Sequence, residues 1–378
     1  MTIRLLSSRA SRAAARAAVA AVAVCAVAGG GVAQAAPSTA AGSAPSTAAG
    51  SVPSSSDSIA PLGSLAGLPI PGSLGLGPVI PDAQPGFDLE AHRGGRGEFT
   101  EESATAFTHA LDLNVSTLEL DVVVAEDGTP VVWHDPSVQA EKCSDTAPAT
   151  PNDPEFPYVG KLVHELNWQQ LQTLDCGKKL ADFPNAQPVP GNKMLQLKDV
   201  FALAANHPNG RDVHFNIETK LEAEKRADSA TPQQFLDAIL PVIHASGADK
   251  RSVIQSFDWR SLELMRDQAP QIPTVLLWDD TTWKPGSVWT GSVNFDAAQG
   301  DITRAAKQVG ASILSPDFAL VSAESVSHAH AAGLTVVPWT VNESADITSM
   351  IDAGVDGIIT DYPTRALEIL NGRGVAIA

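Results

Sequence analysis

Leu118-Glu119-Leu120-Asp121-Val122, the turn Glu126-Asp127-Gly128 and then Val131-Val132-Trp133-His134-Asp135 read as a strand, a tight reversal and a second strand. Asp-Gly between two apolar runs is a strong hairpin signal. Side chains alternate along a strand, so Glu119 and Asp121 share one face while Leu118, Leu120 and Val122 share the other. Two carboxylates about 7 Å apart on one face repel each other unless something lies between them. A solvated face is one resolution. A hard divalent cation held by carboxylate oxygens is the other.

Outward from this pair the chain becomes regular. Leu89–Arg93 precedes it as a short strand running into a Gly-rich loop, and Ser103 to Leu111 has helical spacing, with Thr100 or Ser103 as its cap. After it, strands are expected at Val213–Lys220, Ser252–Phe257, Thr274–Trp278, Ala311–Leu314, Thr335–Trp339 and Gly357–Thr360. Helices are expected at Leu197–Ala205, Pro232–Ala245, Trp259–Asp267, Ile302–Val309, Ala323–Ala332, Ser344–Ala353 and Thr364–Leu370. Eight strands, mostly separated by helices, point to an α/β fold, a (β/α)8 TIM barrel. A doubly wound sheet is the alternative, but no G-x-G-x-x-G or Walker loop supports it.

Residues 136–192 interrupt the rhythm after the second strand region. They are rich in Pro, Asp and Asn, with one helix-like patch at Leu162 to Leu174, and read as an insertion lacking a core of its own. Two of the three cysteines, Cys143 and Cys176, lie here, and in an exported protein a disulfide between them is the expectation.

Export itself is read from the N-terminus. Arg4, Arg9, Arg12 and Arg16 precede an apolar run from Ala17 to Val32, and Ala33-Gln34-Ala35 has the small-residue cleavage pattern. Residues 1–35 therefore read as a Sec-type signal peptide, too short and wrongly flanked for a membrane span. Residues 36–86, rich in Ala, Ser, Pro and Gly and nearly free of charge, read as a disordered linker. The barrel then occupies 87–378. The 378-residue chain has 25 basic and 43 acidic side chains, a formal net charge of −18, and four of the basic ones lie in the leader. Such an acidic mature protein is a poor partner for nucleic acid or an anionic membrane surface. The expectation is a secreted monomer acting on a small molecule, with no stable membrane insertion.

In a barrel, functional side chains gather at the C-terminal strand ends. Those ends offer His92-Arg93-Gly94, Glu119 with Asp121, His134-Asp135, Asn216 with Glu218 and Lys220, Gln255, Trp339 and Asp361. Carboxylates, imidazoles and cations in one place suit phosphoester cleavage, where metal and cations hold the phosphate and histidines move protons. Asp361 could instead cap the following helix, Trp339 could fill the mouth, and Glu101 could serve a helix terminus or the metal region. Trp278, Trp283 and Trp289 are candidates for an apolar rim.

The ordered set His92-Arg93-Gly94, Thr100-Glu101-Glu102-Ser103, Glu119-Leu120-Asp121-Val122, His134-Asp135 and Asn216-Ile217-Glu218-Thr219-Lys220 resembles the glycerophosphodiester phosphodiesterase family. Val337-Pro338-Trp339-Thr340-Val341-Asn342 and Asp356-Gly357-Ile358-Ile359-Thr360-Asp361 fit the same pattern. One departure stands out: Thr-Glu-Glu-Ser occupies the usual Pro-Glu-Asn-Thr, so Glu102 puts a charge where an amide is usual. The resemblance implies a Ca²⁺- or Mg²⁺-dependent barrel hydrolase that converts glycerophosphodiesters to glycerol 3-phosphate and an alcohol. It also implies metal ligation by Glu119, Asp121 and Glu218 and acid/base roles for His92 and His134. Arg93 and Lys220 would hold phosphate oxygens, with Trp339 against the substrate. Which histidine is base, and whether the glycerol 2-hydroxyl or water attacks first, stays open. Two rivals remain: a phospholipase D-like or phosphoinositide-specific lipid phosphodiesterase on the same barrel, and a non-catalytic glycerophosphodiester-binding protein.

Overall fold

A computed structural model describes residues 86–378 of the chain. The expected signal peptide and all but the last residue of the expected linker lie outside the described residues. Eight parallel strands surround the centre: β1 (Asp88–Ala91), β2 (Thr117–Val124), β5 (His214–Thr219), β6 (Ser252–Ser256), β7 (Thr274–Trp278), β8 (Ile313–Pro316), β9 (Thr335–Val336) and β10 (Gly357–Thr360). Their order is β10-β1-β2-β5-β6-β7-β8-β9, each hydrogen-bonded to the next. No strand ladder joins β9 to β10. That gap is spanned by single backbone bonds from Asp356 N to Val336 O at 3.0 Å and from Ile359 N to Pro338 O at 2.9 Å. The architecture is the expected (β/α)8 barrel.

The helices lie where local chemistry starts and stops them. α1 (Ala104–Asp112) begins at Ser103, whose hydroxyl accepts from Ala106 N. α3 (Leu197–Asn206) follows the insertion. α4 (Pro232–Ala245) opens with a capping box at Thr231 and Gln234 and with Pro232 in its first turn. α5 (Trp259–Gln268), α6 (Ile302–Val309), α7 (Ala323–Ala331), α8 (Ser344–Ala353) and α9 (Pro363–Arg373) complete the outer ring. Their apolar stripes pack on the outward strand faces, through residues such as Phe107, Leu118, Leu120, Phe215, Ile217, Ile254, Leu262 and Leu276. Alternation sends the other set inward. Val253, Val275, Ile313, Val337 and Ile359 form a small apolar plug inside the barrel. Across from it, Glu90, Glu119, Asp121, Asn216, Glu218 and Gln255 are buried polar groups.

Three expectations are corrected. The first strand stops at Ala91, and His92–Gly94 is a turn of 3-10 helix with Arg93 at φ 52° and Gly94 at φ 79°. The hairpin strand β3 (Pro130–Val132) is shorter than expected. It pairs on its far side with β4 (Leu195–Gln196), a strand too short to show as periodicity, and Trp133, His134 and Asp135 lie beyond its end. The insertion does have a core. Val138, Cys143, Tyr158, Leu166, Leu171, Leu174 and Cys176 pack with Val123, Val131, Trp133 and Met194. Its helical patch is a 3-10 turn at Val163–Glu165 and the single-turn α2 (Trp168–Leu171), because the segment is folded on the β2–β3 hairpin rather than on a helical stripe of its own. Cys143 and Cys176 are disulfide-bonded, as expected.

Candidate active site

Glu119 and Asp121 point inward from β2, and Glu218 from the neighbouring β5, where the register sets Asp121 beside Glu218. All three are buried, and their carboxylate oxygens lie within 4.8 Å of one another. A hard cation bonded to oxygens at roughly 2.1–2.5 Å accepts ligands up to about 5 Å apart, so the spacing fits one divalent ion. Burial and the neighbouring carboxylates push Glu119 well above the usual range. Burial raises Glu218 to about 7 despite the Lys220 ammonium 2.8 Å away. Asp121 is held low: burial opposes ionisation, but the Arg93 guanidinium at 2.8 Å and the more distant Lys220 outweigh it. Asp121 Oδ1 has no hydrogen-bond partner, an orphaned buried acceptor of the kind a bound cation satisfies.

The left-handed turn after β1 shapes one wall. It directs Arg93 N onto Glu119 Oε2 at 3.0 Å and Arg93 Nη1 onto Glu101 Oε2 at 3.2 Å. A Cβ on Gly94 would lie 2.9 Å from the Ala106 methyl, so the turn against α1 needs glycine. His92 Nδ1 meets Asp361 Oδ1 at 2.5 Å, and its Nε2 lies 3.9 Å from Glu119. Burial lowers this imidazole to about 4, with Asp361 opposing the shift. His134 Nδ1 pairs with Asp135 at 3.1 Å, and burial together with Lys220 and Arg93 also holds His134 low. Both rings therefore spend Nδ1 on a carboxylate.

The structure brings together Glu119, Asp121, Glu218, Arg93, Lys220 and His92, with His134 joined to them through Asp135, Lys142 and Glu101, which pairs with Arg93. Trp339 stands at the same end but on the opposite side of the mouth, half-buried, with its indole N–H donated to Ser315 O at 2.9 Å. For four supporting residues, sequence reasoning missed the role, and for Lys142 the residue itself. Asp361 does not cap α9; it receives His92, Arg96 and Asn342, and its inward parity at the end of β10 was the available signal. Gln255 donates to Glu119 Oε1 at 2.6 Å. Glu102 is buried and accepts from Asp121 N at 3.0 Å, so the departing residue of the Thr-Glu-Glu-Ser loop braces the backbone that carries the second carboxylate of the trio. Lys142, from the insertion, pairs with both Glu101 and Asp135. Glu101 itself serves neither a helix end nor the acidic trio; it braces Arg93. Trp283 is not on the rim: it is buried against Trp259 and Phe295.

A parallel barrel whose mouth carries an inward trio of carboxylates, two acid-paired imidazoles and two cations defines a class: barrel enzymes equipped for phosphoester chemistry. The family model for the glycerophosphoryl diester phosphodiesterase family matches residues 92–365, and the chain belongs to that family of phosphoric diester hydrolases. Among similar proteins, a glycerophosphodiester phosphodiesterase of Caldanaerobacter subterraneus subsp. tengcongensis is 26% identical over 284 residues, covering 75% of this chain and 98% of the relative. A human protein named lysophospholipase D GDPD1 is 23% identical over 303 residues, covering 74% and 85%. A solved structure from the same family, from Silicibacter pomeroyi DSS-3, superposes with a TM-score of 0.67 at 28% identity, covering 78% of this chain and 96% of that one.

Proposed function

We propose that this protein is a secreted, monomeric hydrolase of small-molecule glycerophosphodiesters, releasing glycerol 3-phosphate and an alcohol with Ca²⁺ or Mg²⁺ held by Glu119, Asp121 and Glu218. The observation that carries the reading is the buried carboxylate trio within 4.8 Å at a mouth that also holds paired imidazoles and cations. When bound, the ion supplies positive charge to a phosphate oxygen. Arg93 offers a planar fork and Lys220 a point charge for the remaining phosphate oxygens. His92 and His134, each with Nδ1 engaged, keep Nε2 for the substrate. One accepts the proton of the attacking hydroxyl, from the glycerol 2-position or from water. The other enters as the imidazolium, which the bound anionic diester favours, and gives its Nε2 proton to the departing alkoxide as the phosphorus–oxygen bond breaks. If the glycerol hydroxyl attacks, water then opens the cyclic phosphate. Export follows from the Arg-flanked apolar leader at residues 1–35 and the linker at 36–86.

The test is a panel of diesters differing in alcohol, with glycerol 3-phosphate read by a coupled dehydrogenase. Glycerophosphocholine and its analogues are expected to yield it. No release from any diester in the presence of either ion would overturn the reading.

One observation favours a second reading, a lipid phosphodiesterase acting on a lysophospholipid. The mouth is divided: β10, β1, the β2–β3 hairpin and β5 carry the carboxylate trio, the imidazoles and the cations, while Phe257 after β6 and Trp339 after β9 put aromatic rings on the other side. Phe257 packs edge-on against Trp339 at 5.3 Å and against Trp289 at 6.5 Å. Val288 beside Trp289 is 45% exposed. An acyl chain lying over this half would make lysophosphatidylcholine a better substrate than glycerophosphocholine, and Trp289→Ala would erase the difference. Equal turnover of both by the intact enzyme would remove this reading.

A further inference from the structure

Lys142 lies outside the strand ends that carry the proposed chemistry, on the insertion. It nevertheless reaches the site. Its ammonium lies 2.5 Å from Asp135 Oδ2 and also contacts Glu101 Oε1. Asp135 uses its other oxygen for His134 Nδ1, at 3.1 Å. Glu101 uses its other oxygen for Arg93 Nη1, at 3.2 Å. One cation thus joins the acid behind His134 to the acid behind Arg93. The side chain is 14% exposed, and the ammonium lies 5.1 Å over the Trp133 ring. Its backbone is fixed as well. Lys142 N donates to Gln139 O at 3.1 Å, Lys142 O accepts from Lys178 N at 3.3 Å, and the next residue is Cys143 of the disulfide.

We infer that Lys142 is a positioning residue for the phosphodiesterase reaction: it fixes the Asp135 carboxylate so that His134 is held with its proton on Nδ1 and its Nε2 free. A lone Asp135 carboxylate is free to rotate about its own side-chain bonds. With one oxygen on an ammonium it presents the other to the ring in a single orientation. The same ammonium keeps Glu101 against Arg93, so both groups are set by one contact. The insertion and its disulfide thereby acquire a purpose beyond packing: they deliver Lys142. The inference rests on the acid/base role proposed for His134.

The test compares wild type, Lys142→Met, Lys142→Arg, Asp135→Asn, the Lys142→Met/Asp135→Asn double variant and His134→Ala, on glycerophosphocholine with saturating divalent ion. Supporting groups behind a reacting ligand typically account for about 10–100-fold. Lys142→Met is expected to lose about that factor in kcat with KM changed less than about threefold. Lys142→Arg is expected to recover most of the loss, and the double variant to be no worse than Asp135→Asn alone. Imidazole ¹⁵N shifts are expected to report the Nδ1–H tautomer of His134 in wild type and Lys142→Arg, and a mixture in Lys142→Met. If Lys142→Met does not fold, Lys142→Gln, one bond shorter and uncharged and so unable to hold both carboxylates, carries the same prediction. Wild-type kcat in Lys142→Met or Lys142→Gln beside an inactive His134→Ala would overturn this inference alone. A fully active His134→Ala would overturn the proposed role of His134, on which the inference stands.

Discussion

At the scale of single residues, the site is a problem in charge. Four buried carboxylates, Glu102, Glu119, Asp121 and Glu218, meet the buried Arg93 and the partly buried Lys220. Burial and mutual repulsion push Glu102, Glu119 and Glu218 toward their protonated forms, while Arg93 keeps Asp121 ionised. Each imidazole is oriented by its own acid. Removing either ring removes a proton carrier, so His92→Ala and His134→Ala are each predicted to lower kcat by about two to four orders of magnitude with the circular dichroism spectrum unchanged. Near-normal turnover would take them out of the chemistry. Asp361→Asn is predicted to lose less, about 10–100-fold, because His92 remains but its Nδ1 loses a charged acceptor. A kcat equal to wild type would show that Asp361 does not hold the ring. The inward clustering of the acidic trio and the strand-end places of both histidines were legible in the sequence because strand parity and position at a strand end are local facts. Asp361 was legible in position but misread in role, since a carboxylate before a helix is equally a cap. Lys142 was not legible: only the folded insertion brings it beside Asp135.

At the scale of elements, the same division holds. The expected bounds of α4, α6 and α8 coincide with the observed ones. Their signals lie within a few residues: Thr231 and Pro232 before α4, the Asp301 cap and Gly310 around α6, Gly354 after α8. Strand lengths were less legible, because a strand ends where its neighbour stops pairing. β9 shrinks to two residues and β4 exists only as the partner of β3. β1 gives a pH prediction. Asp88, at its start, is pushed up to about 6, chiefly by burial and against the Thr117 hydroxyl at 2.7 Å. A carboxyl raised in the fold gives its full stability below about pH 4 and loses it as pH rises through 6. Asp88→Asn is therefore predicted to raise Tm relative to wild type by an amount that grows from pH 5 to pH 8. A difference independent of pH would contradict the assignment. In the insertion, the Cys143–Cys176 bond spans 33 residues, and closing such a loop is worth about 2–4 kcal/mol. Reduction is predicted to lower Tm by several degrees in calorimetry. Unchanged Tm with thiols shown to be free would mean that the small core of the insertion suffices without it.

At the scale of the whole molecule, the barrel separates structure from chemistry. Helices and outward strand faces carry the large apolar core, the plug of Val253, Val275, Ile313, Val337 and Ile359 fills part of the interior, and the polar staves opposite it carry the site. The family's barrel and its acidic trio were both visible before any coordinates, because eight strand–helix units and an ordered set of strand-end residues are global patterns in sequence. The divided mouth, charged on one side and aromatic on the other, was not, since it depends on strand order around the ring. The central claim is that Glu119, Asp121 and Glu218 hold one divalent ion on which hydrolysis depends. Its most direct test is glycerol 3-phosphate release from glycerophosphocholine before and after chelation with EDTA, and again after adding Ca²⁺ or Mg²⁺. The account predicts activity abolished by chelation, restored by one of the two ions, and not restored in Glu119→Gln or Glu218→Gln. Full activity in the presence of EDTA would contradict it.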